Sequence, residues 1–272
     1  MVFLGASFQR EQELAHAGGD TPCTNIESAG PKKPRPTPGG SGIFPLTDGI
    51  HVGIHVEDCH MSCRFCELAS SHGRNRVADQ VLYETERYFA ISSIGGFIPG
   101  WTLVCPKSHQ LNLSQFYLEE SFVQFVKDVQ EVVSKEYGSC VIFEHGANVE
   151  GSITACGANH AHLHIVPFSR SVQSLVPKED SSLDWNTCLT GQIAPLSGGQ
   201  EYLFCADKFD GHKTMGLVCT LPQQRSQFFR RVLSKAVGMT EFYDYKRYPF
   251  EEISNDTAKR LANTFAATRI VE

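Results

Sequence analysis

The sequence predicts an α+β fold in which helices pack on an antiparallel sheet, and three observations lead there. Residues 81–105, VLYETERYFAISSIGGFIPGWTLVC, contain two β-rich runs separated by the turn-forming GGFIPG, which reads as an antiparallel pair. In LEESFVQFVKDVQEVVSKEYG, Leu118, Phe122, Phe125, Val126, Val129, Val132 and Val133 recur at three- and four-residue spacing. That period marks an amphipathic helix with one stripe on the sheet, and Gly138 supplies its stop. Two more strand-like runs, CVIFEHG at 140–146 and HAHLHIVPF at 160–168, are joined by the small, polar loop ANVEGSITACGAN.

The remaining segments fall into place around this centre. Residues 1–42 end in AGPKKPRPTPGGSG, whose Pro, Gly and Lys leave too little apolar surface to offset ordering entropy, so this stretch reads as a disordered tail. Residues 169–200 read as irregular. YLFCADKF and MGLVCTL form a further strand pair around the turn DGHK, ahead of the amphipathic SQFFRRVLSKAV.

With 272 residues, 41% of them hydrophobic and 20% charged, the chain can bury a substantial core. Its formal charge of −6 supplies no global basic field for a nucleic-acid backbone, so no nucleic-acid partner is expected. No apolar run approaches the ~18 residues of a membrane span, and the first residues lack a basic leader. The expectation is a cytoplasmic protein with no membrane partner. The ten cysteines read as reduced thiols, with Cys105, Cys140, Cys205 and Cys219 as small core residues. Cys63 and Cys66 stand apart as a C-x-x-C pair.

His160, His162 and His164 alternate with Ala161, Leu163 and Ile165, so a strand here projects three imidazoles from one face. Such a row can line a solvated sheet face, or bind a metal as an imidazole cluster. It can also serve phosphoryl chemistry, where one neutral imidazole attacks phosphorus while its neighbours donate hydrogen bonds to the non-bridging oxygens. The C-x-x-C pair likewise has two readings, free thiols or half of a tetrahedral zinc site, and Cys59 and His60 offer local alternative ligands. Lys107 reads equally as a solvated turn residue, and His109 as a surface or capping histidine.

HAHLHIV fits the H-x-H-x-H-x-x signature of the histidine-triad (HIT) superfamily, and PGWTLVCPKSHQLNLSQF resembles the strand-turn segment ending in P-K-x-H. SCRFCEL resembles the family's amino-terminal C-x-F-C element, so similar segments run in family order over 61–168. EHG followed by CGANHAHLHIVP, with the long tail, is similar to a longer bacterial-type subgroup. The resemblance implies a five-stranded antiparallel sheet with packed helices and a nucleotide bound across it. It divides the chain into the 1–42 tail, a HIT catalytic domain at 43–170, and a 171–272 extension packed on that core.

By the same resemblance His162 is the nucleophile, His164 and His160 contact the phosphate, and loop amides around Gly157 and Ala158 support it. Lys107 and His145 are further substrate-binding candidates, His145 standing near a position where relatives carry Asn. Cys156 replaces a Gln common in the family four residues before the first histidine, which leaves handling of the leaving group open. Zinc-bearing relatives, including the galactose-1-phosphate uridylyltransferase branch, imply a structural Zn²⁺ held by Cys63, Cys66, His109 and His160. The implied activity is hydrolysis at the α-phosphate of a nucleotide conjugate, through a covalent nucleotidyl-His162 intermediate. The implied conjugates are dinucleoside polyphosphates, nucleoside phosphoramidates and nucleotidyl esters. Nucleotidyl transfer or phosphorolysis through that intermediate, a non-catalytic nucleotide-binding module and a zinc-dependent interaction domain are the competing readings. A homodimer is compatible with all of them.

Overall fold

In the computed structural model, residues 63–70, 76–155 and 158–269 are described. The 1–42 tail, Cys59, His60, Cys156 and Gly157 lie outside the described residues. The elements in chain order are α1 (Arg64–Ala69), β1 (Tyr83–Glu84), β2 (Tyr88–Ser92), β3 (Thr102–Pro106), α2 (Glu120–Tyr137), β4 (Cys140–Gly146) and β5 (Leu163–Pro167). Beyond these come α3 (Val176–Glu179), β6 (Asn186–Leu189), α4 (Ile193–Ser197), β7 (Tyr202–Ala206), β8 (Met215–Thr220), α5 (Phe228–Ala236) and α6 (Glu251–Arg269).

The β2–β3 pair forms as its sequence predicts, antiparallel with Phe89 opposite Cys105. Its turn depends on Gly100, whose φ of +86° favours glycine and where a Cβ would lie 2.6 Å from the Tyr137 ring. Helix α2 buries Phe122, Phe125, Val126, Val129, Val132 and Val133, and it ends at Gly138 with φ +93°. Leu118 departs from the expected stripe. It sits in the short turn Phe116–Leu118 ahead of α2 and is 54% exposed, and Val123 joins the buried stripe from within the helix.

All pairings are antiparallel, in the order β1-β2-β3-β5-β4-β7-β8-β6. Strands β1 to β5 form one half of the sheet, matching the five expected. The other half corrects that number to eight, because β7 pairs along the outer edge of β4 from Ile142↔Ala206 to Gly146↔Tyr202. An open β4 edge would expose a row of unpaired backbone groups, which the extension instead satisfies. The β7–β8 hairpin matches its sequence reading. Segment 169–200 does not, since α3, β6 and α4 arise there and β6 pairs with β8 at the end of the sheet. Helix α6, unmarked in the sequence, buries only Ala258, Leu261 and Phe265 among its apolar side chains.

Both faces of the sheet are covered. On one, Ala161, Leu163, Ile165 and Ile142 pack with α2 and α6. On the other, Phe89, Trp101, Val141, Phe143 and Val166 pack with Phe65 of α1 and with Phe228, Phe229 and Leu233 of α5. Cys105, Cys140, Cys205 and Cys219 are buried free thiols, as expected. Among the described residues no helix is long and apolar enough to cross a membrane.

The EHG at the end of β4 has a separate reason for each residue. Glu144 points to the α2 face, fully buried, and accepts hydrogen bonds from the Leu113 amide (2.6 Å) and from the hydroxyls of Tyr117 (2.9 Å) and Tyr202 (2.8 Å). Gly146 lies beneath the Tyr202 ring, where a Cβ would come within 2.3 Å. His145, between them, points to the opposite face.

Burial raises the Glu144 carboxyl to about 7 despite its three donors. A raised carboxyl stabilises the fold below its ordinary pKa and loses that contribution as pH climbs through the folded value. His160 and His162 shift the opposite way over an overlapping range, so the informative quantity is a difference between two proteins. Denaturant unfolding of wild type and Glu144→Gln should show wild type losing about 3 kcal/mol relative to the variant between pH 4.5 and 8. A difference that stays constant with pH contradicts this assignment.

Candidate functional site

The antiparallel register of β4 and β5 sets Phe143 opposite His164, and continuing it by two residues sets His145 opposite His162. Strand β5 begins only at Leu163, later than expected. The preceding amides bond elsewhere, His160 N–H to Ala158 O and Ala161 N–H to Gln110 O, both at 2.6 Å. The alternation nevertheless persists through this lead-in. Ala161 and Leu163 face α2, while His162 and His164 face the aromatic side, their ring centroids 4.7 Å apart.

Hydrogen bonds fix the proton positions on these rings. His162 Nδ1 lies 2.8 Å from the His160 carbonyl oxygen, an acceptor, so Nδ1 carries the proton and Nε2 keeps its lone pair. Trp101 Nε1–H donates to His164 Nδ1 at 2.9 Å, so the neutral His164 ring carries its proton on Nε2. The Phe65 ring stacks on His162 at 5.4 Å, and Phe143 stacks on His164 at 4.3 Å. Burial, assisted by the Arg230 charge, lowers His162 to about 4 and holds His164 and His145 well below the usual imidazole range. All three are neutral at pH 7. His145 is 5% exposed, and neither of its ring nitrogens has a hydrogen-bond partner among the described residues.

His160 behaves differently from the other two members of the row. Its Nε2–H donates to the Pro106 carbonyl at 2.8 Å, which turns Nδ1 toward Cys63 Sγ (3.5 Å) and Cys66 Sγ (3.6 Å). Both ring nitrogens are thereby engaged, so the ring has no free atom for a phosphate in this arrangement. His109 Nδ1 lies 3.2 Å from Cys66 Sγ, and its Nε2 lies 2.8 Å from Glu150 Oε1. The four donor atoms of Cys63, Cys66, His109 and His160 all fall within 4.8 Å of one another.

This S₂N₂ set suits a tetrahedral divalent metal, and the outer contacts have the form that metal sites use. Each histidine is oriented by an acceptor on its far nitrogen, Pro106 O for His160 and the Glu150 carboxylate for His109. Burial and the neighbouring Cys63 push the Cys66 thiol up to about 11. Metal binding therefore has to displace its proton.

Other expected residues stand apart from this group. Lys107 forms an ion pair with Glu84 (3.0 Å), and among the described residues no hydrogen bond or ion pair of its side chain reaches the histidine row. The Ala158 amide, expected to face a phosphate, instead donates to Ala155 O at 3.0 Å within the loop. A cleft of about 290 Å³ opens beside Asn159, between Gly151, Ser152 and Ile153 on one side and Ser226, Gln227, Asp244 and Lys246 of the extension on the other. Trp101, Glu150 and Arg230 contribute to the site without having been singled out in the sequence, since aromatic, acidic and basic residues in isolation carry no spacing signal, whereas Phe65 is the aromatic residue of the C-x-F-C element, to which no role was assigned.

Residues 74–170, from before β1 to just past β5, match the HIT domain family model. Over these residues the chain is similar to a HIT domain. The histidine row and its cross-strand partner lie within this domain, whereas Cys63, Cys66 and Arg230 lie outside it. The chain is also similar to solved HIT structures. One is a HIT-like protein involved in cell-cycle regulation from Bartonella henselae, at 21% identity over 39% of this chain and 76% of that one, with a TM-score of 0.32. Another is a HIT family hydrolase from Clostridium thermocellum, at 24% identity over 40% and 92%, with a TM-score of 0.27. A hypothetical histidine triad nucleotide-binding protein from Sulfolobus tokodaii matches at 17% identity over 73% and 93%, with a TM-score of 0.28. No curated protein matches, and a likeness to the uridylyltransferase branch is not shown.

Elemental analysis should find about one divalent metal ion per chain, bound by this Cys₂His₂ group. Cys66→Ser should lose the metal and lower the melting temperature together. Glu150→Gln, which weakens orientation of His109 but keeps all four ligands, should reduce metal affinity by roughly 10- to 100-fold. Metal-free wild-type protein, with a melting temperature unmoved by added metal or chelator, excludes the site.

Proposed function

We propose that this HIT domain is a nucleotide hydrolase acting at the α-phosphate of a nucleotide conjugate, with His162 as nucleophile. The observation that carries this reading is the bond from His162 Nδ1–H to the His160 carbonyl. It presents an unprotonated Nε2 beside the Nε2–H of His164. A nucleophile and an oxyanion donor side by side are the two groups that displacement at phosphorus requires.

In the first step the Nε2 lone pair of His162 attacks the α-phosphorus. The bond from phosphorus to the leaving group breaks, and the leaving group departs with its electron pair and takes up a proton from solvent. His164 Nε2–H donates to a non-bridging oxygen as charge develops there. In the second step water attacks the phosphorus of the nucleotidyl-His162 adduct. The P–N bond breaks, its electron pair returns to Nε2, and the water's proton passes to solvent. His145, buried with two unpartnered nitrogens on the same face, is a substrate contact in this reading.

The metal of the Cys63, Cys66, His109 and His160 group is zinc in this reading, and its chemistry is structural. Held by Cys63 and Cys66 at α1, His109 in the turn after β3 and His160, it would join these segments and steady the His160 carbonyl that holds His162. Transfer of the nucleotidyl group to phosphate or a sugar phosphate uses the same adduct and differs only in the acceptor.

The test uses adenosine 5′-phosphoramidate and diadenosine tetraphosphate, each labelled at the α-phosphate, followed by trapping of an acid-labile protein adduct. Wild type should form the adduct and release labelled AMP. His162→Ala should form none while keeping wild-type metal content and folding, and His164→Ala should slow adduct formation by about 100-fold. Adduct formation by His162→Ala at the wild-type rate overturns the mechanism. Tight nucleotide binding by wild type without adduct or turnover replaces it with a non-catalytic binding role.

A further inference from the structure

We propose that Arg230, on α5 outside the HIT domain, is a positioning residue that sets the proton position of His164 by clamping Trp101. This rests on the proposed role of His164 as a donor to the substrate phosphate.

The indole of Trp101 links Arg230 to the histidine row by direct contact on both sides, and its chemistry permits one outcome. Indole N–H can donate and cannot accept, so its 2.9 Å contact makes His164 Nδ1 an acceptor and moves the His164 proton to Nε2. An indole displaced or rotated away releases Nδ1, and the ring can then carry its proton on the wrong side. The orientation of Trp101 therefore decides whether His164 is a donor toward the site.

Arg230 governs that orientation from two directions. Its guanidinium lies over the Trp101 ring at 4.6 Å, a stack that is strong when both partners are desolvated, and both are buried here. The same guanidinium donates to Gly95 O, to Ile94 O at 3.1 Å and to Ser93 Oγ at 3.2 Å, gripping the β2–β3 turn that leads into Trp101. A planar fork with several donors in fixed directions does this, and a point-charge ammonium does not.

Other residues of the extension hold the same turn. Ser254 Oγ donates to Ser93 O at 2.7 Å, the Gly95 amide donates to Pro249 O, and Thr257 Oγ1 accepts from the Gly100 amide at 3.0 Å. The turn lies inside the HIT domain, while Arg230, Pro249, Ser254 and Thr257 lie beyond it. The extension thus reaches His164 through the buried Arg230–Trp101 stack and holds the turn that carries it.

The experiment compares full-length Arg230→Met, Trp101→Phe and the double variant with wild type. One arm measures kcat and KM on labelled adenosine 5′-phosphoramidate. The other records ring ¹⁵N correlations of His164 and the indole N–H resonance of Trp101. Arg230→Met should shift the indole resonance, give His164 a mixed proton position and lower kcat by about tenfold, with KM changed less than about threefold. Trp101→Phe should lower kcat at least as much, and the double variant should fall no further than the lower single variant.

Arg230→Lys keeps the charge without the fork and should show the same signature at smaller amplitude, which covers the case where Arg230→Met does not fold. Wild-type His164 and indole resonances in a folded Arg230 variant overturn the proposal whatever its activity. Multiplicative losses of kcat in the double variant also overturn it. If wild type turns over no probe, the functional reading fails, and the resonances alone decide the positioning role.

Discussion

The candidate site depends on how His160 is held. Its carbonyl accepts the Nδ1 proton of His162, its Nε2–H binds the Pro106 carbonyl at the end of β3, and its Nδ1 faces the two cysteines. One residue therefore takes part in the metal-binding group with its ring and sets the tautomer of its neighbour with its backbone. Moving His160 would disturb both, because the two functions share a single peptide unit. This also explains why the first histidine of the row differs from the other two. It faces the same side of the chain, yet its ring is committed before a phosphate could reach it.

Proton placement at the site follows from burial combined with hydrogen-bond direction. Burial keeps His145, His162 and His164 neutral, and a neutral imidazole has one N–H and one lone pair to distribute. For His162 the distribution is decided by a carbonyl, for His164 by an indole. His145 has no partner for either nitrogen among the described residues, an arrangement that costs free energy in the absence of a ligand. On the opposite face of the same strand, Glu144 is buried with three donors around it. The alternation of β4 thus separates a satisfied polar group, which ties β4 to β7 and to the turn before α2, from an unsatisfied one facing the histidine row.

The extension beyond the HIT domain is structurally continuous with it. β7 completes the β4 edge, α5 and α6 cover opposite faces of the sheet, and residues of both helices bond the β2–β3 turn. Glu201, just before β7, accepts from Thr154 Oγ1 at 2.6 Å and so reaches the loop ahead of the histidine row as well. Two segments that flank the histidines are therefore braced by chain lying outside the domain that contains them.

Local pattern was legible in the sequence wherever a single period governed a segment. The stripe of α2 was read from its period, because one face of that helix is buried and the other is not, and the β2–β3 and β7–β8 pairs and the strand CVIFEHG were read as β-rich runs between turn signals. The alternation of His160, His162 and His164 was legible because polar and apolar side chains go to opposite faces of a strand, both of them buried here. The cysteine pair, His109 and His160 were read as one metal group through resemblance, and tertiary structure brings their donor atoms together. Sequence could not reveal β6, which presents only Cys188 as a buried residue, or α6, whose sparse apolar residues follow a weak stripe. It could not place Leu118 outside the helix, or assign Lys107 to Glu84 and the Ala158 amide to its own loop. Nor could it join Arg230, Trp101 and His164, which lie far apart in the chain and meet only when α5 folds over the β2–β3 turn. Periodicity reports which face of an element is buried. Which nitrogen of a buried ring carries the proton depends on the partner that tertiary packing puts against it.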